Sequence, residues 1–418
     1  MNSPRRKLRI AVWYNLPSGG AKRALHYHLA GLKARGHHLE AWRPDVQQLD
    51  FMPISEVVEK EHVVPQTIKH IPDGPLVTKI GKIAKEPENM VASWDAQGRA
   101  CAAEIEHGGF DVLFANTCMF FHAPFVGRYL KIPKLLYLQE PNRPLYEPLP
   151  RLPWLPFVPA EHPSGIRGLR ARFLFEIGRR GAGLKGLAEL QNARSYDRIL
   201  VNSFFSREAV LRAYGLNSKV CYLGIDSGIF SDQSKPRERF VIGIGTFGPS
   251  KNIMLVVEAL GTIPPAKRPP LVWVANMQDE PYLAACLARA KELGVDLQPK
   301  KMISDVEMVD LLNRATAMVY APRLEPFGFA PLEANFCGTP VIGVAEGGVR
   351  ETVQDGMNGL LVDHDPVEMG LAIVRLLDDP ALARRLGEQG REVAREKWSV
   401  EASIDRLEAE LFGVLHST

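Results

Sequence analysis

Apolar and polar positions follow two recurring rhythms along this chain. Short β-branched runs at 9–13, 39–42, 112–115, 134–138, 198–202 and 220–223 read as strands. A second series follows at 240–244, 271–275, 295–298, 317–320, 340–344 and 359–362. Between most of them lie stretches with helical spacing, such as 21–35, 206–214 and 252–260. Strands alternating with helices predict parallel sheets covered on both faces. Each series is too long to be shared, so the pattern predicts an α/β chain of two doubly wound domains, 1–228 and 229–399. The boundary falls in the polar stretch 227–239, which contains Pro236. In the remaining segment, 400–418, Ile404, Leu407, Leu411 and Leu415 follow one helix face.

Composition narrows the class. Of 418 residues, 46% are hydrophobic and 24% charged, the balance of a globular protein. A net charge of +3 gives no argument for nucleic acid, and no such partner is expected. Arg5, Arg6 and Lys7 precede the short apolar run 8–12 without a small-residue cleavage site, so a first strand is expected and not a signal peptide. No stretch reaches the ~18–20 apolar residues of a membrane span. Five scattered cysteines without a CxxC pair suit reduced thiols in a cytoplasm and argue against a zinc site. One region departs from the rhythm. Residues 141–163 hold eight prolines among apolar side chains, and 164–200 carry eight basic against three acidic residues. This reads either as a rigid packed loop with a solvated helix, or as an acceptor-side lid or peripheral membrane contact through 141–198, at the inner face of the membrane.

Glycine-rich loops supply the first chemistry. Ser18, Gly19, Gly20 and Ala21 follow the first strand and open a helix. Glycine amides at a helix N-terminus form an anion site where doubly wound sheets bind ligands; a plain tight turn is the alternative. Residues 243–248 match GxGxxG, but the acid expected at the end of the following strand is lacking, and the first to appear is Asp279. Lys251 instead stands at the mouth of this loop, so Gly245 and Lys251 suggest phosphate binding. The Asp363-His364-Asp365 triplet resembles a metal-binding DxD, yet Asp365 before Pro366 reads as a helix N-cap. His26, His28, His37 and His38 lack the acidic or cysteine company of a metal site, so no metal is expected.

The segment 318–360 is the most informative. A strand ends at Ala321, and the loop then carries Glu325, Phe327, Gly328 and Phe329. A helix is predicted to start near Pro331 and to stop at Gly338. The amides of Phe327, Gly328 and Phe329 then converge on a helix N-terminus as a second anion site. Glu325 and Glu333 flank it, and as hydroxyl acceptors they suit a sugar on one side and a ribose on the other.

At these residues the chain resembles the family-4 retaining glycosyltransferases of the GT-B fold. Glu325 and Glu333 match the E-x7-E motif of that family. Ser18, Gly19, Gly20 and Ala21 with Arg35, Gly36 and His37 resemble its GGA…RGH signature. Gly224, Ile225 and Asp226 resemble its GVD turn, and residues 337–342 its CGTPVI run. The resemblance spans about residues 8–400, with the motifs in order. It implies two Rossmann-like domains facing across a cleft, the first on the acceptor side and the second holding the nucleotide sugar, with 400–418 packing back on the first. Two positions depart from the pattern. The family usually carries an arginine directly after the glycine six positions before its lysine; here that residue is Thr246, with Lys251 retained. The family also often has a histidine where strand 134–138 ends, and here Gln139 and Glu140 follow, so either substitutes, with Arg143 nearby.

The resemblance implies transfer of a sugar from a nucleotide diphosphate donor to a hydroxyl acceptor (glycan, glycolipid or small molecule), with retention and with neither metal nor cofactor. Glu333 would take the ribose hydroxyls and Glu325 those of the donor sugar. Lys251, with the amides near Phe327–329 and of Gly19 and Gly20, would stabilise the leaving diphosphate. Backbone near Met302, Ile303 and Ser304 would read the base. Two alternatives stay open: a nucleotide-sugar epimerase, and a non-catalytic nucleotide-sugar-binding subunit, which Thr246 and the absent histidine motivate.

Overall fold

A computed structural model describes residues 6–45, 51–66, 76–148, 152–158 and 164–416, with backbone alone for 76–84. Arg5 of the basic start and Pro150, Pro159 and Pro163 of the proline-rich stretch lie outside the described residues. The chain divides into two compact units. The first comprises Met1–Asn202, Arg207–Cys221 and Ile404–Thr418, and the second Ser203–Ser206 and Tyr222–Ser403.

The first unit runs β1 (Arg9–Asn15), α1 (Gly20–Ala34), β2 (His38–Arg43), β3 (Lys60–Val63), α2 (Leu76–His107), β4 (Val112–Cys118), β5 (Lys134–Gln139), α3 (Arg143–Tyr146), α4 (Gly165–Ala193), β6 (Arg198–Val201), α5 (Phe204–Tyr214), which starts in the second unit, and β7 (Lys219–Val220). All its strands are parallel, in the order β3-β2-β1-β4-β5-β6-β7. The central strands are buried on both faces, as continuous apolar runs such as Leu135, Leu136, Tyr137 and Leu138 require. Trp13, Trp42, Leu113 and Phe121 belong to its core.

The second unit runs β8 (Glu238–Ile244), α6 (Ile253–Thr262), β9 (Leu271–Ala275), α7 (Glu280–Leu293), β10 (Leu297–Lys301), α8 (Asp305–Arg314), β11 (Ala315–Tyr320), α9 (Phe329–Phe336), β12 (Val341–Val344), α10 (Val349–Thr352), β13 (Gly359–Val362), α11 (Pro366–Asp378) and α12 (Pro380–Lys397). Its sheet, also parallel, has the order β10-β9-β8-β11-β12-β13. Val241, Trp273, Val319 and Ile342 sit at its centre. Each such fully buried side chain contributes about 1.5–3 kcal/mol.

The last helix, α13 (Val400–Leu415), belongs mostly to the first unit. Gly31 of α1 admits it, since a Cβ there would stand 2.0 Å from Ile404 Cδ1. The Arg35-Gly36-His37 motif ties it down: Arg35 Nη1 and His37 Nε2 each reach Glu408 at 2.9 Å, and Arg35 Nη2 meets Asp405 at 2.7 Å. Leu8 N donates to His37 Nδ1 at 3.1 Å, so Nε2 carries the ring proton toward Glu408.

The elements that differ from the sequence pattern have local causes. β3 is a polar edge strand, and β10 begins at Leu297 because Gly294, at φ +68, ends α7 and Val295 still bonds back to Ala290. As the outermost strand, β10 needs no apolar run and tolerates Pro299. α2 carries Pro87 within it, although a proline removes one bond of the helix ladder. The main run of the second unit begins at Tyr222, five residues before the polar stretch, because Ile225 bonds Trp398 and Val400. A Cβ on Gly224 would sit 2.3 Å from the Ser399 carbonyl oxygen, so that turn needs glycine. The return to the first unit comes at Ile404, within α13.

Candidate functional site

In the second unit the strand order reverses between β8 and β11, which are bonded neighbours. The loops leaving their carboxyl ends therefore emerge side by side, where doubly wound sheets take ligands. After β8, Gly245 adopts φ +151, and a Cβ on it would lie 3.1 Å from Lys251 Cγ, so the lysine stem runs along the bare glycine. Trp273 Nε1 donates to the Gly245 carbonyl at 2.8 Å and holds this loop to β9. Asn252 then turns with φ +52 and α6 begins. The loop after β11 supplies the partner: Lys251 Nζ donates to Glu325 Oε2 at 2.6 Å. The two side chains are 25% and 17% exposed. A pair open to water to this degree is worth about 1 kcal/mol or less, so the ammonium can turn to an arriving anion at small cost.

The ground beneath Glu325 is built from glycines. Gly348 N donates to the Glu325 carbonyl at 2.7 Å. A Cβ on Gly347 (φ +59) would meet that same carbonyl oxygen at 2.4 Å, and one on Gly348 would meet the Pro326 oxygen at 2.2 Å. Ser203 Oγ also donates to the Pro326 carbonyl, at 2.5 Å. Glu351 accepts from the amides of Phe204 and Phe205 at 2.9 and 3.0 Å and from the Tyr222 hydroxyl at 2.8 Å. Tyr320, at the end of β11, lies under both glutamates. Burial, then the charges of Glu325 and Glu333 and a hydrogen bond with Glu325, push its phenol well above the usual value, so it stays a neutral donor.

The following helix begins at Phe329, earlier than the expected start near Pro331, because Gly328 takes φ +97 and turns the chain directly into it. Pro331 occupies the third helical position, still within the first turn. The first amides of α9 have no acceptor inside the helix and carry its positive end. Glu333 is buried in the same helix, 6% exposed. Gly338, at φ +67, follows the C-terminus. Met302 stands exposed after β10 with φ +55, its amide bonded to Ala275, and Ser304 caps α8 by accepting from Glu307 N. Ile303 lies between them. Asp365 caps α11, accepting from Val367 and Glu368. Among the described residues no three His, Cys, Asp or Glu side chains gather into a metal-binding group.

In the first unit, Gly19 takes φ +150 at the N-cap of α1, with open space where a Cβ would stand, and Gly20 is the first helical residue. The first turn of α1 has no acid but carries Lys22 and Arg23, both buried. Cations at a helix N-terminus oppose the dipole unless an anion lies there. Sequence reading passed over Arg23; its signal was a pair of basic residues following Gly-Gly-Ala. Gln139 ends β5 with φ +62, a conformation few non-glycine residues adopt. Glu140 lies 3.9 Å from Arg143, which also bonds Glu147 at 2.6 Å. Arg143 is thus engaged by two carboxylates of its own segment. Below this segment, buried Glu189 accepts from Asn142 Nδ2 at 3.0 Å, His122 N at 3.1 Å and Tyr214 OH at 3.1 Å.

Residues 226–393 match the family described as Glycosyl transferases group 1. This match takes in most of the second unit and none of the first. Human alpha-1,3/1,6-mannosyltransferase ALG2 is 29% identical over 238 residues, covering 50% of this chain and 57% of that protein. D-inositol 3-phosphate glycosyltransferase 1 of Catenulispora acidiphila is 35% identical over 135 residues, 32% of each chain. The chain thus spans about half the length of the human relative and a third of the bacterial one. Among solved structures, Anabaena Alr3699/HepE in complex with UDP and glucose superposes with a TM-score of 0.68 at 17% identity, covering 97% of this chain and 100% of that one. Sucrose-phosphate synthase from Thermosynechococcus elongatus gives 0.71 at 20% identity, over 99% and 100%. These likenesses establish the fold, GT-B, with its two Rossmann-like domains.

Proposed function

We propose that this chain is a metal-independent, retaining glycosyltransferase that moves a sugar from a nucleotide diphosphate sugar to a hydroxyl of a glycan, glycolipid or small molecule. The observation that carries the reading is the meeting of Lys251 and Glu325 at 2.6 Å above the Gly347-Gly348 turn. It sets an exchangeable cation beside a hydroxyl acceptor at the strand-order reversal. Glu333 binds the ribose hydroxyls, and Glu325 those of the donor sugar. Lys251 and the amides of Phe327, Gly328 and Phe329 stabilise charge on the leaving diphosphate; Gly19 and Gly20 of the first unit have the same task. Gly245 leaves room for the lysine stem, and Met302, Ile303 and Ser304 offer backbone to the base. Gln139 or Glu140 takes the place of the family histidine. The acceptor oxygen bonds to the anomeric carbon as its bond to phosphate breaks, on the same face, and the departing phosphate oxygen takes the acceptor's proton. The protein works at the inner face of a membrane, held peripherally through residues 141–198.

Product analysis tests this reading. The reaction should need both donor and acceptor, keep the donor's anomeric configuration by proton NMR, and persist in excess EDTA. Inversion, or loss of activity in EDTA restored by manganese, would refute the mechanism. Conversion of donor without acceptor would make the chain an epimerase.

A further inference from the structure

Helix α4 is held at one end and open at the other. Its C-terminal turns are buried through Ala188, Glu189, Asn192 and Ala193. Arg180 pairs with Glu88 of α2, and the Phe175 ring meets Phe157 at 5.6 Å. The N-terminal half leaves its large apolar side chains in water: Ile166 is 87% exposed and Leu169 70%, with Phe173 and Leu174 also exposed. Ile166, Leu169 and Phe173 follow the i, i+3, i+7 spacing of one stripe. Helical rotation puts Arg167 and Arg170 along one flank and Arg172 along the other. Among the described residues, no carboxylate pairs with these three arginines, and the first acid of the helix, Glu176, is taken by Arg179. Trp154, in the segment that Phe157 anchors to the helix, is exposed as well.

Single exposed apolar residues need no explanation, but four within nine positions, flanked by unneutralised arginines, do. A second copy of this surface would bring the same guanidiniums and be repelled. A surface both apolar and negative fits, and a bilayer containing anionic lipid is one. Such a helix lies in the headgroup plane with its apolar stripe sunk, its arginines reaching up to phosphates and a tryptophan at the boundary. We infer that the N-terminal half of α4 is an interfacial helix that docks this protein on anionic lipid through Ile166, Leu169 and Phe173, with Arg167, Arg170 and Arg172 supplying the charge. The inference rests on the peripheral membrane contact proposed above and narrows it to one helix face.

Co-sedimentation of the full chain with phosphatidylcholine vesicles, with and without phosphatidylglycerol, tests it, alongside nucleoside diphosphate binding by thermal shift. The chain should partition onto the anionic vesicles about tenfold better than onto neutral ones, and less well as salt rises. Ile166→Ser/Leu169→Ser/Phe173→Ser should reduce partitioning at least about tenfold, since anchoring needs both signals. Arg167→Gln/Arg170→Gln/Arg172→Gln should do the same. Both variants change exposed side chains and should keep the wild-type melting temperature and nucleotide shift. No vesicle binding by the wild type, or binding undiminished in the apolar triple variant, overturns the proposal. So does a concentration-dependent dimer that the apolar triple variant abolishes, with no lipid binding. Vesicle binding without any nucleotide shift would instead refute the donor reading and leave this helix face standing.

Discussion

Lys251 and Glu325 stand 74 positions apart in sequence and meet at 2.6 Å. On the proposed reading, with Thr246 where the resembled family usually has arginine, this ammonium should bear an unusual share of the diphosphate charge. Lys251→Ala should therefore raise the barrier by about 2–4 kcal/mol, a 10²–10³ loss of turnover. A loss below about tenfold would move the task to another cation, such as Lys22. Because the pair is part-exposed, either truncation should shift stability by no more than about 1 kcal/mol, which separates chemistry from unfolding. The two glutamates should behave differently from each other. If Glu333 holds the ribose, Glu333→Ala should weaken bare nucleotide and full donor alike, by about 1.5–3 kcal/mol, or one to two powers of ten in both affinities. Glu325→Ala should leave bare nucleoside diphosphate affinity nearly unchanged while transfer collapses. Calorimetry on both variants beside turnover makes the comparison. Equal weakening of bare nucleotide would mean that the two roles are wrongly divided.

At the scale of elements, the docking of α13 on the first unit turns on Glu408. Burial raises the pKa of its carboxyl, but the hydrogen bonds from His37 and Arg35 and the Arg35 charge outweigh that and hold it below its ordinary 4.5. A depressed folded-state pKa contributes stability that is fully present above 4.5 and is lost as pH falls through the folded value. Glu408→Gln should thus cost about 1–3 kcal/mol at neutral pH, and its difference from wild type should shrink as pH falls below 4.5. Denaturant titrations across that range check this; a pH-independent difference would remove the charge from the account. The Arg35-Gly36-His37 motif was legible in sequence as a signature, but its work as the clamp on α13 was not. Its partner Glu408 lies more than 370 positions away, at a distance that local pattern does not encode.

For the whole molecule, the groups assigned to the nucleotide lie chiefly in the second unit. Two compact units can unfold in separate transitions. A ligand at 100 times its dissociation constant stabilises what it binds by about 2.7 kcal/mol. Calorimetric scans with UDP, GDP and ADP should therefore raise the second unit's transition most, with one base producing the larger shift. A nucleotide that moves only the first unit's transition would relocate the donor site. The sequence by itself determined the α/β class, the two strand series, the caps at Asp365 and Gly338, and the residue types around Glu325, because these rest on periodicity and local backbone preference. It passed over β3 and misplaced β10, since an edge strand buries too little to need an apolar run. Tertiary structure alone decided that Lys251 meets Glu325, that Tyr320 lies beneath both glutamates, that Gly347 and Gly348 are wedged against Glu325 and Pro326, and that Arg143 is engaged by Glu140 and Glu147. The physical reason is the reversal of strand order at β8 and β11: it brings together loops far apart in the chain, and the short-range pattern of neither loop records the other.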